Sequence, residues 1–359
     1  MKILHFCYDH PDNPWVGGGG AGRTWHVNKY LSRKHDITVL CGGFPGAVQK
    51  GEPFHVSFLG SAKKYVESRL KYVWNSRRVD TSSYDLVVEE FSYYAPIFSR
   101  FRGKPAVTII QSNHGLSALG FHPVYGVVSL ISQYLVLPYR KNVIIVSEHL
   151  RPAVNKAVCT ATIGQGAEIP EELPPASEDY VLFLGRLDFK IKGLDILIKA
   201  WASIPSDKRK IPLVIAGGGD DAKVKDYIRQ VGAENIVLTG SLNHFEALSY
   251  IRKAAFVCVP SRMEGSPLVV YESLALGKPI IGTSIPSIRA LLNHNENGIL
   301  VSPEDSEALA QAILVLFDDT KRKTFMKGAK KAGEKFSWKN IAEKQETFYS
   351  CVREKSGKG

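Results

Sequence analysis

Cysteine is scarce in this sequence, and so are long apolar runs, clustered metal ligands and short repeats. The 359 residues include five cysteines, Cys7, Cys41, Cys159, Cys258 and Cys351, odd in number, scattered and mostly set in apolar runs. That usage reads as free thiols in a reducing compartment, excludes a disulfide scaffold, and offers no spacing suited to zinc. The longest apolar stretch, 127–138, falls well short of the roughly 20 residues a membrane span needs. Met1-Lys-Ile-Leu-His-Phe-Cys-Tyr runs straight into a strand without a small-residue cleavage site, so a cytoplasmic protein without a signal peptide is expected. Nothing repeats at short period, and the only low-complexity tract is the Lys/Gly-rich tail after Arg353.

The chain does carry positive charge and alternating apolar runs. Its length exceeds one usual core and implies two domains. Net charge is +11, unevenly spread: residues 1–170 hold 19 Lys and Arg against 11 Asp and Glu, leaving 27 against 24 for the rest. Such a field attracts phospholipid, nucleic acid or phosphorylated substrate without choosing among them. Short buried strands at 2–8, 37–41, 84–88, 106–110 and 142–146 alternate with helical stretches, the rhythm of an α/β doubly wound sheet. A Pro/Gly-rich hinge at 163–176 interrupts it. A second alternation follows at 180–185, 212–216, 236–239, 255–259 and 279–282. The expected domains are 1–168 and 169–338, with a terminal helix over 339–359.

In the first half, Gly17 to Gly22, including Gly19 and Gly20, stands between a strand and a helix of about 23–33. Backbone amides there can meet a phosphate, although the following Cys41-Gly-Gly43 supplies no acidic ribose ligand for a dinucleotide. His114 follows a strand at its carboxyl end and is a candidate site residue, the alternative being a hydrogen-bonded structural histidine. Residues 61–80 interleave Lys63, Lys64, Arg69, Lys71, Arg77 and Arg78 with Tyr65, Val66, Leu70 and Trp74. This segment reads either as an interfacial helix on an anionic membrane or as a solvated helix packed on its own domain. The apolar stretch 121–138 is expected to form a core helix, with a lipid-facing wall as the minority reading.

The second half holds the densest chemistry. Gly185-Arg186 joins a strand to a helix through a loop bearing Lys190, Lys192 and Gly193. Two cations beside a helix start make a seat for a diphosphate. Gly217 and Gly240 mark tight turns at the same sheet edge, where open α/β sheets bind ligands. After the strand ending at Val259 come Glu264 and Glu272, separated by seven residues across a loop-to-helix junction. Ser266 is expected to cap that helix, with Pro267 in its first turn and Gly277 as its stop. No DxD-like acidic pair stands in a suitable loop, and Asp220-Asp221 reads as a helix cap.

Together Gly185-Arg-Leu, Lys192-Gly193, the Gly217 turn, Thr239-Gly240 and Glu264-x7-Glu272 resemble the retaining glycosyltransferases of family 4. The resemblance implies a GT-B fold of two Rossmann-like doubly wound domains facing a central cleft. It implies a donor held by the second domain as a nucleotide-diphosphate sugar, UDP- or GDP-linked, and a glycan or lipid-linked acceptor held by the first. In those terms Glu272 meets the ribose, Glu264 the sugar hydroxyls, and Arg186 and Lys192 the diphosphate. The backbone of Ser266, Pro267 and Leu268 meets the sugar and phosphates, and His114 orients sugar or acceptor. The glycines Gly19, Gly20, Gly185, Gly217 and Gly240 let backbone approach the donor. The resemblance also implies transfer with retention, without a metal or other cofactor, and a terminal helix that returns to the first domain. Ser266-Pro267 departs from the Phe-Gly pair common in the family and removes one backbone donor. The alternatives are a GT-B nucleotide-sugar epimerase, a nicotinamide-dependent dehydrogenase, or a basic membrane- or nucleic-acid-binding module without catalysis; nucleic acid is not the expected partner.

Overall fold

The computed structural model describes residues 1–15, 19–60, 62–93, 103–111 and 123–356. The chain divides into two compact units, Met1–Gln165 with Trp338–Gly359, and Gly166–Ser337.

In the first unit, β1 (Lys2–Phe6), β2 (Asp36–Gly42), β3 (His55–Leu59), β4 (Leu86–Glu90), β5 (Ala106–Ile110), β6 (Asn142–Ile145) and β7 (Cys159–Thr162) form one parallel sheet. Their order is β3-β2-β1-β4-β5-β6-β7, with β1 between β2 and β4: Ile3 faces Ile37 on one side and Leu86 on the other. The helices α1 (Gly19–Leu31), α2 (Tyr65–Ser76) and α3 (Pro123–Ile131) connect these strands. Helix α1 begins four residues earlier than the sequence suggests, because the glycines supply its first turn, where the amides lack intrahelical partners in any case.

The expected core helix over 121–138 is corrected. Helix α3 widens into a π-helical turn, Ser132–Val136, and tightens into a 3₁₀ turn, Leu137–Tyr139, at Pro138. Those changes of pitch turn Val127, Tyr134, Leu135 and Tyr139 to solvent, while Val136 and Leu137 enter the core.

In the second unit, β8 (Tyr180–Leu184), β9 (Leu213–Ala216), β10 (Ile236–Gly240), β11 (Ala254–Val259), β12 (Ile280–Thr283) and β13 (Gly298–Val301) form a parallel sheet in the order β10-β9-β8-β11-β12-β13. All six residues of β11 are buried, as its unbroken apolar run requires of a strand covered on both faces. The helices are α4 (Phe189–Lys192), α5 (Leu194–Ser203), α6 (Asp221–Gln230), α7 (His244–Lys253), α8 (Leu268–Ala275), α9 (Pro286–Arg289), α10 (Ser306–Leu316) and α11 (Asp319–Gly333). Leu197, Trp201 and Ile313 from α5 and α10 pack on one sheet face, and Leu248, Val270, Leu274 and Ile288 from α7, α8 and α9 on the other. Truncating any one of these to alanine is expected to cost about 2–5 kcal/mol.

The last helix, α12 (Trp338–Ser356), belongs to the first unit. Trp338 stacks on His26 of α1 at 4.9 Å, and Phe348, Tyr349 and Val352 enter the first core. Arg23, wholly buried, donates to Gln345 Oε1 at 2.8 Å and to the Ile163 carbonyl at 3.2 Å, so α12 is tied to the first unit by a charged group that has no access to water.

Candidate functional site

The carboxyl edge of the second sheet is assembled from two loops that lock together. After β8 the chain enters α4, whose start is capped by Asp188, the side chain accepting from the Ile191 amide at 3.0 Å. Gly193 ends that turn in the left-handed region, φ 61°, and a Cβ there would lie 2.1 Å from the Pro260 carbonyl oxygen. Only glycine allows both the conformation and the approach. The loop after β11 therefore presses directly on α4, and the Arg262 amide donates to the Ile191 carbonyl at 2.8 Å.

The Arg262 side chain completes the clamp. Its guanidinium grips Asp195 of α5 through both terminal nitrogens, at 2.7 and 2.9 Å, and also donates to Glu304 and the Phe189 carbonyl. The planar fork of arginine suits such bidentate pairing. Its hydrogen bonds with Asp195 and Glu304 raise its own ionisation well above the ordinary range.

Held this way, Lys192 and Glu264 meet. Lys192 Nζ lies 2.6 Å from Glu264 Oε1, and Ser261 Oγ donates to the same oxygen at 2.7 Å. Thr283 at the end of β12 fixes Ser261 in turn, donating to its carbonyl at 2.5 Å. Both described partners of Glu264 occupy Oε1, which leaves Oε2 available to a ligand. Lys190 is exposed on the same turn and makes no such contact. Arg186 is 64% exposed and, among the described residues, pairs with Asp188 at 3.5 Å. The structure thus joins Lys192 to Glu264 and leaves Arg186 apart from them.

Gly185, Gly217 and Gly240 form a continuous ledge. The Gly217 amide donates to the Gly240 carbonyl at 2.9 Å. A Cβ on Gly217, whose φ is 139°, would sit 1.9 Å from the Gly185 carbonyl oxygen. At Gly217 the backbone of one turn sits directly on the backbone of the next.

The junction before α8 differs from expectation. Ser266 does not cap the helix: Pro267 is the cap residue, in an extended conformation, and no side chain caps the first turn. The Ser266 hydroxyl instead donates to the Tyr271 hydroxyl at 3.3 Å, because Pro267 sets Ser266 one residue too early to reach the helical amides. Leu268 is the first helical residue. Further along α8, Glu272 is nine-tenths buried and its Oε1 lies 2.9 Å from His244 Nε2. That hydrogen bond raises the His244 pKa above its ordinary value, against the opposing effect of burial. Asp220 caps α6, its side chain accepting from the Lys223 amide.

The sequence reading missed His244, Ser261 and Arg262. Asn243-x-x-Glu246 is a capping-box pattern that would have placed His244 at a helix start on this edge. Arg262 grips Asp195 across 67 residues and Thr283 holds the Ser261 carbonyl across 22, contacts with no local signal, whereas the Ser261 hydroxyl meets Glu264 only three residues on. Gly19 and Gly20 are the first residues of α1, and His114 lies outside the described residues. No group of three or more His, Cys, Asp or Glu able to hold a metal occurs among the described residues.

The family model for glycosyl transferases group 1 matches residues 165–332, a span that contains this whole edge. An uncharacterised glycosyltransferase of Methanocaldococcus jannaschii is 32% identical over 188 residues, covering 50% of this chain and 47% of that one. The chain spans about half the length of the curated relatives it matches. Among solved structures, sucrose-phosphate synthase from Thermosynechococcus elongatus has a TM-score of 0.79 at 20% identity, covering 98% of this chain and 99% of that one. HepE of Anabaena, solved in complex with UDP and glucose, has a TM-score of 0.71 at 20% identity, covering 98% and 100%. These likenesses carry the fold, which is GT-B. Residues 165–332 are thus similar to the glycosyl transferases group 1, and the whole chain shares the GT-B fold.

Proposed function

We propose that the protein is a retaining glycosyltransferase that moves a hexosyl unit from a UDP- or GDP-linked donor to a glycan or lipid-linked acceptor. The observation that carries this reading is the Lys192–Glu264 contact at 2.6 Å, with Ser261 on the same carboxylate oxygen. A carboxylate held on one oxygen presents the other to sugar hydroxyls, and a cation beside it counters charge on a departing diphosphate. Glu272 takes the ribose, and Arg186, exposed and only loosely paired, swings to the diphosphate alongside Lys192. The backbone from Ser266 to Leu268 meets the phosphates at the uncapped start of α8. With these cations supplying the charge, the reaction uses no metal or other cofactor. The acceptor attacks from the face the leaving group departs, and a phosphate oxygen of that group takes its proton. The second unit holds the donor and the first, with His114, the acceptor. A UDP-bound neighbour of the same fold supports uridine as the base to try first.

A peripheral membrane location rests on α2. Val66, Leu70 and Trp74 repeat at four-residue spacing and are exposed, Leu70 by 68%. Lys63, Lys64, Lys71, Arg77 and Arg78 are exposed around them, with the two arginines 5.9 and 5.5 Å from the Trp74 ring centre. An apolar stripe flanked by cations suits the cytoplasmic face of an anionic bilayer, each cation contributing about 1 kcal/mol. No helix among the described residues is long and apolar enough to cross a membrane.

The test is a panel of UDP- and GDP-sugars screened by thermal shift, followed by release of nucleoside diphosphate with a membrane-lipid extract as acceptor. Release that requires the extract is expected. Epimerised donor formed without any acceptor, or no nucleotide sugar binding at all, overturns the proposal.

A further inference from the structure

Helix α7 starts at a fixed point. The Asn243 side chain accepts from the Glu246 amide at 3.0 Å, and the Glu246 carboxylate accepts from the Asn243 amide at 2.8 Å. This reciprocal cap sets His244 as the first helical residue, just beyond the carboxyl end of β10. There its Nε2 reaches Glu272 Oε1 at 2.9 Å, and among the described residues it is the single hydrogen-bond partner of that carboxylate. Glu272 is nine-tenths buried on α8, whereas the His244 side chain is 61% exposed. A buried carboxylate with one weakly shielded partner is oriented by that partner, and its second oxygen is open to a ligand.

We infer that His244 is a positioning residue of the donor site: it holds Oε1 of Glu272 so that Oε2 accepts from the ribose hydroxyls, and so makes the site select ribonucleotides over nucleotides lacking those hydroxyls. The inference rests on the reading that Glu272 takes the ribose. Its charge environment is simple. From α8 the imidazole faces Glu272, and Glu168, in the segment leading to β8, adds a second negative charge. The strands beneath α7 contribute Tyr180, whose hydroxyl is bound to the Tyr250 carbonyl. On its own helix, Glu246 is committed to the cap. The imidazolium–carboxylate pair is therefore present below the raised pKa of His244 and lost as pH rises through it.

The experiment is calorimetric binding of UDP and GDP, and of their 2′,3′-dideoxy analogues, to the whole protein and to His244→Ala, His244→Gln and Glu272→Gln. It needs no acceptor. His244→Ala is expected to weaken the ribonucleotide about tenfold and leave the dideoxy analogue within about twofold, because only the former uses the oriented carboxylate. His244→Gln, which keeps a donor but does not titrate, restores most of the preference and removes its pH dependence. In the unaltered protein the ratio of the two affinities falls between pH 6 and pH 9; taking the ratio cancels the ionisation of the phosphates. If His244→Ala weakens both nucleotides equally or neither, the inference fails. If Glu272→Gln leaves the ribose preference intact, or if neither UDP nor GDP binds, the ribose reading itself fails.

Discussion

The two units have the same winding and treat carboxylates at their sheet edges in opposite ways. In the first unit Glu90, at the end of β4, is spent. Thr24 Oγ1 donates to its Oε1 and Gln111 Nε2 to its Oε2, both at 2.8 Å, while His5 Nε2 and Arg23 Nη1 stand 3.5 and 3.9 Å away. Burial raises its pKa, yet His5, Arg23 and Gln111 together hold it below the usual carboxylate range. In the second unit Glu264 and Glu272 each keep their described partners on one oxygen only. A carboxylate whose two oxygens are both engaged within its own unit serves the fold. One with an oxygen left over can serve a ligand.

The contrast is sharpest in a pair of substitutions that should fail in different assays. Glu264→Gln is expected to cut turnover of the preferred donor about 100-fold or more, on the order of 3 kcal/mol, with little change in melting temperature. Glu90→Gln is expected to do the reverse, lowering stability by about 3 kcal/mol as the buried Arg23 and His5 lose their counter-charge. Urea unfolding alongside initial rates separates the two. A Glu90→Gln protein of unchanged stability but no activity would erase the distinction drawn between the edges.

Glycines offer a second break. Gly193→Ala forces a left-handed alanine into the Pro260 carbonyl and is expected to cost about 2–3 kcal/mol. Gly22, on α1 in the first unit, has nothing within 4 Å of an added Cβ, so Gly22→Ala should be neutral or stabilise by about 0.5 kcal/mol. Denaturant midpoints of the two variants decide the matter; equal effects would mean that the Gly193 approach to the second loop contributes nothing.

Much of the frame was legible because buried parallel strands have a strong signature. The run that became β11 is apolar without interruption, as is that of β9. The edge strands β3 and β7 escaped notice because a strand with one free side needs no continuous apolar run, and Cys159–Thr162 is only half-buried; β13, also missed, is apolar but only four residues long. At the candidate site, residue type and position at a strand end pointed to Lys192, Glu264 and Glu272. What connects them did not show, since the Lys192–Glu264 contact spans 72 residues and the Arg262–Asp195 contact 67. The Ser266 cap failed for a local reason, the extended backbone of Pro267.

Arg262 tests whether the second unit's edge depends on being clamped. Arg262→Met keeps much of the side chain's bulk and removes every bond to Asp195 and Glu304. A loop freed by about 1 Å costs alignment more than binding, so a tenfold loss of kcat/KM, about 1.4 kcal/mol, is expected, carried mainly by kcat. An unchanged kcat would show that the Lys192–Glu264 contact holds the loop unaided.

A last contrast lies in Asp9, which follows β1 at the first unit's edge. Burial pushes its pKa up to about 6, against the pull of Arg69, while Glu90 adds to the rise. The sign follows from linkage. A carboxyl whose pKa is higher folded than unfolded disfavours the fold once ionised, so its penalty is small near pH 4, grows between about pH 4 and pH 6, and is constant above. Asp9→Asn removes the ionisation while keeping the shape. It should raise the melting temperature at pH 8 by an amount corresponding to about 2–3 kcal/mol, and leave it nearly unchanged at pH 4. Stabilisation of Asp9→Asn at pH 4 as well as pH 8 would trace the effect to packing, and the charge contrast between the two edges would then rest on Glu90 alone.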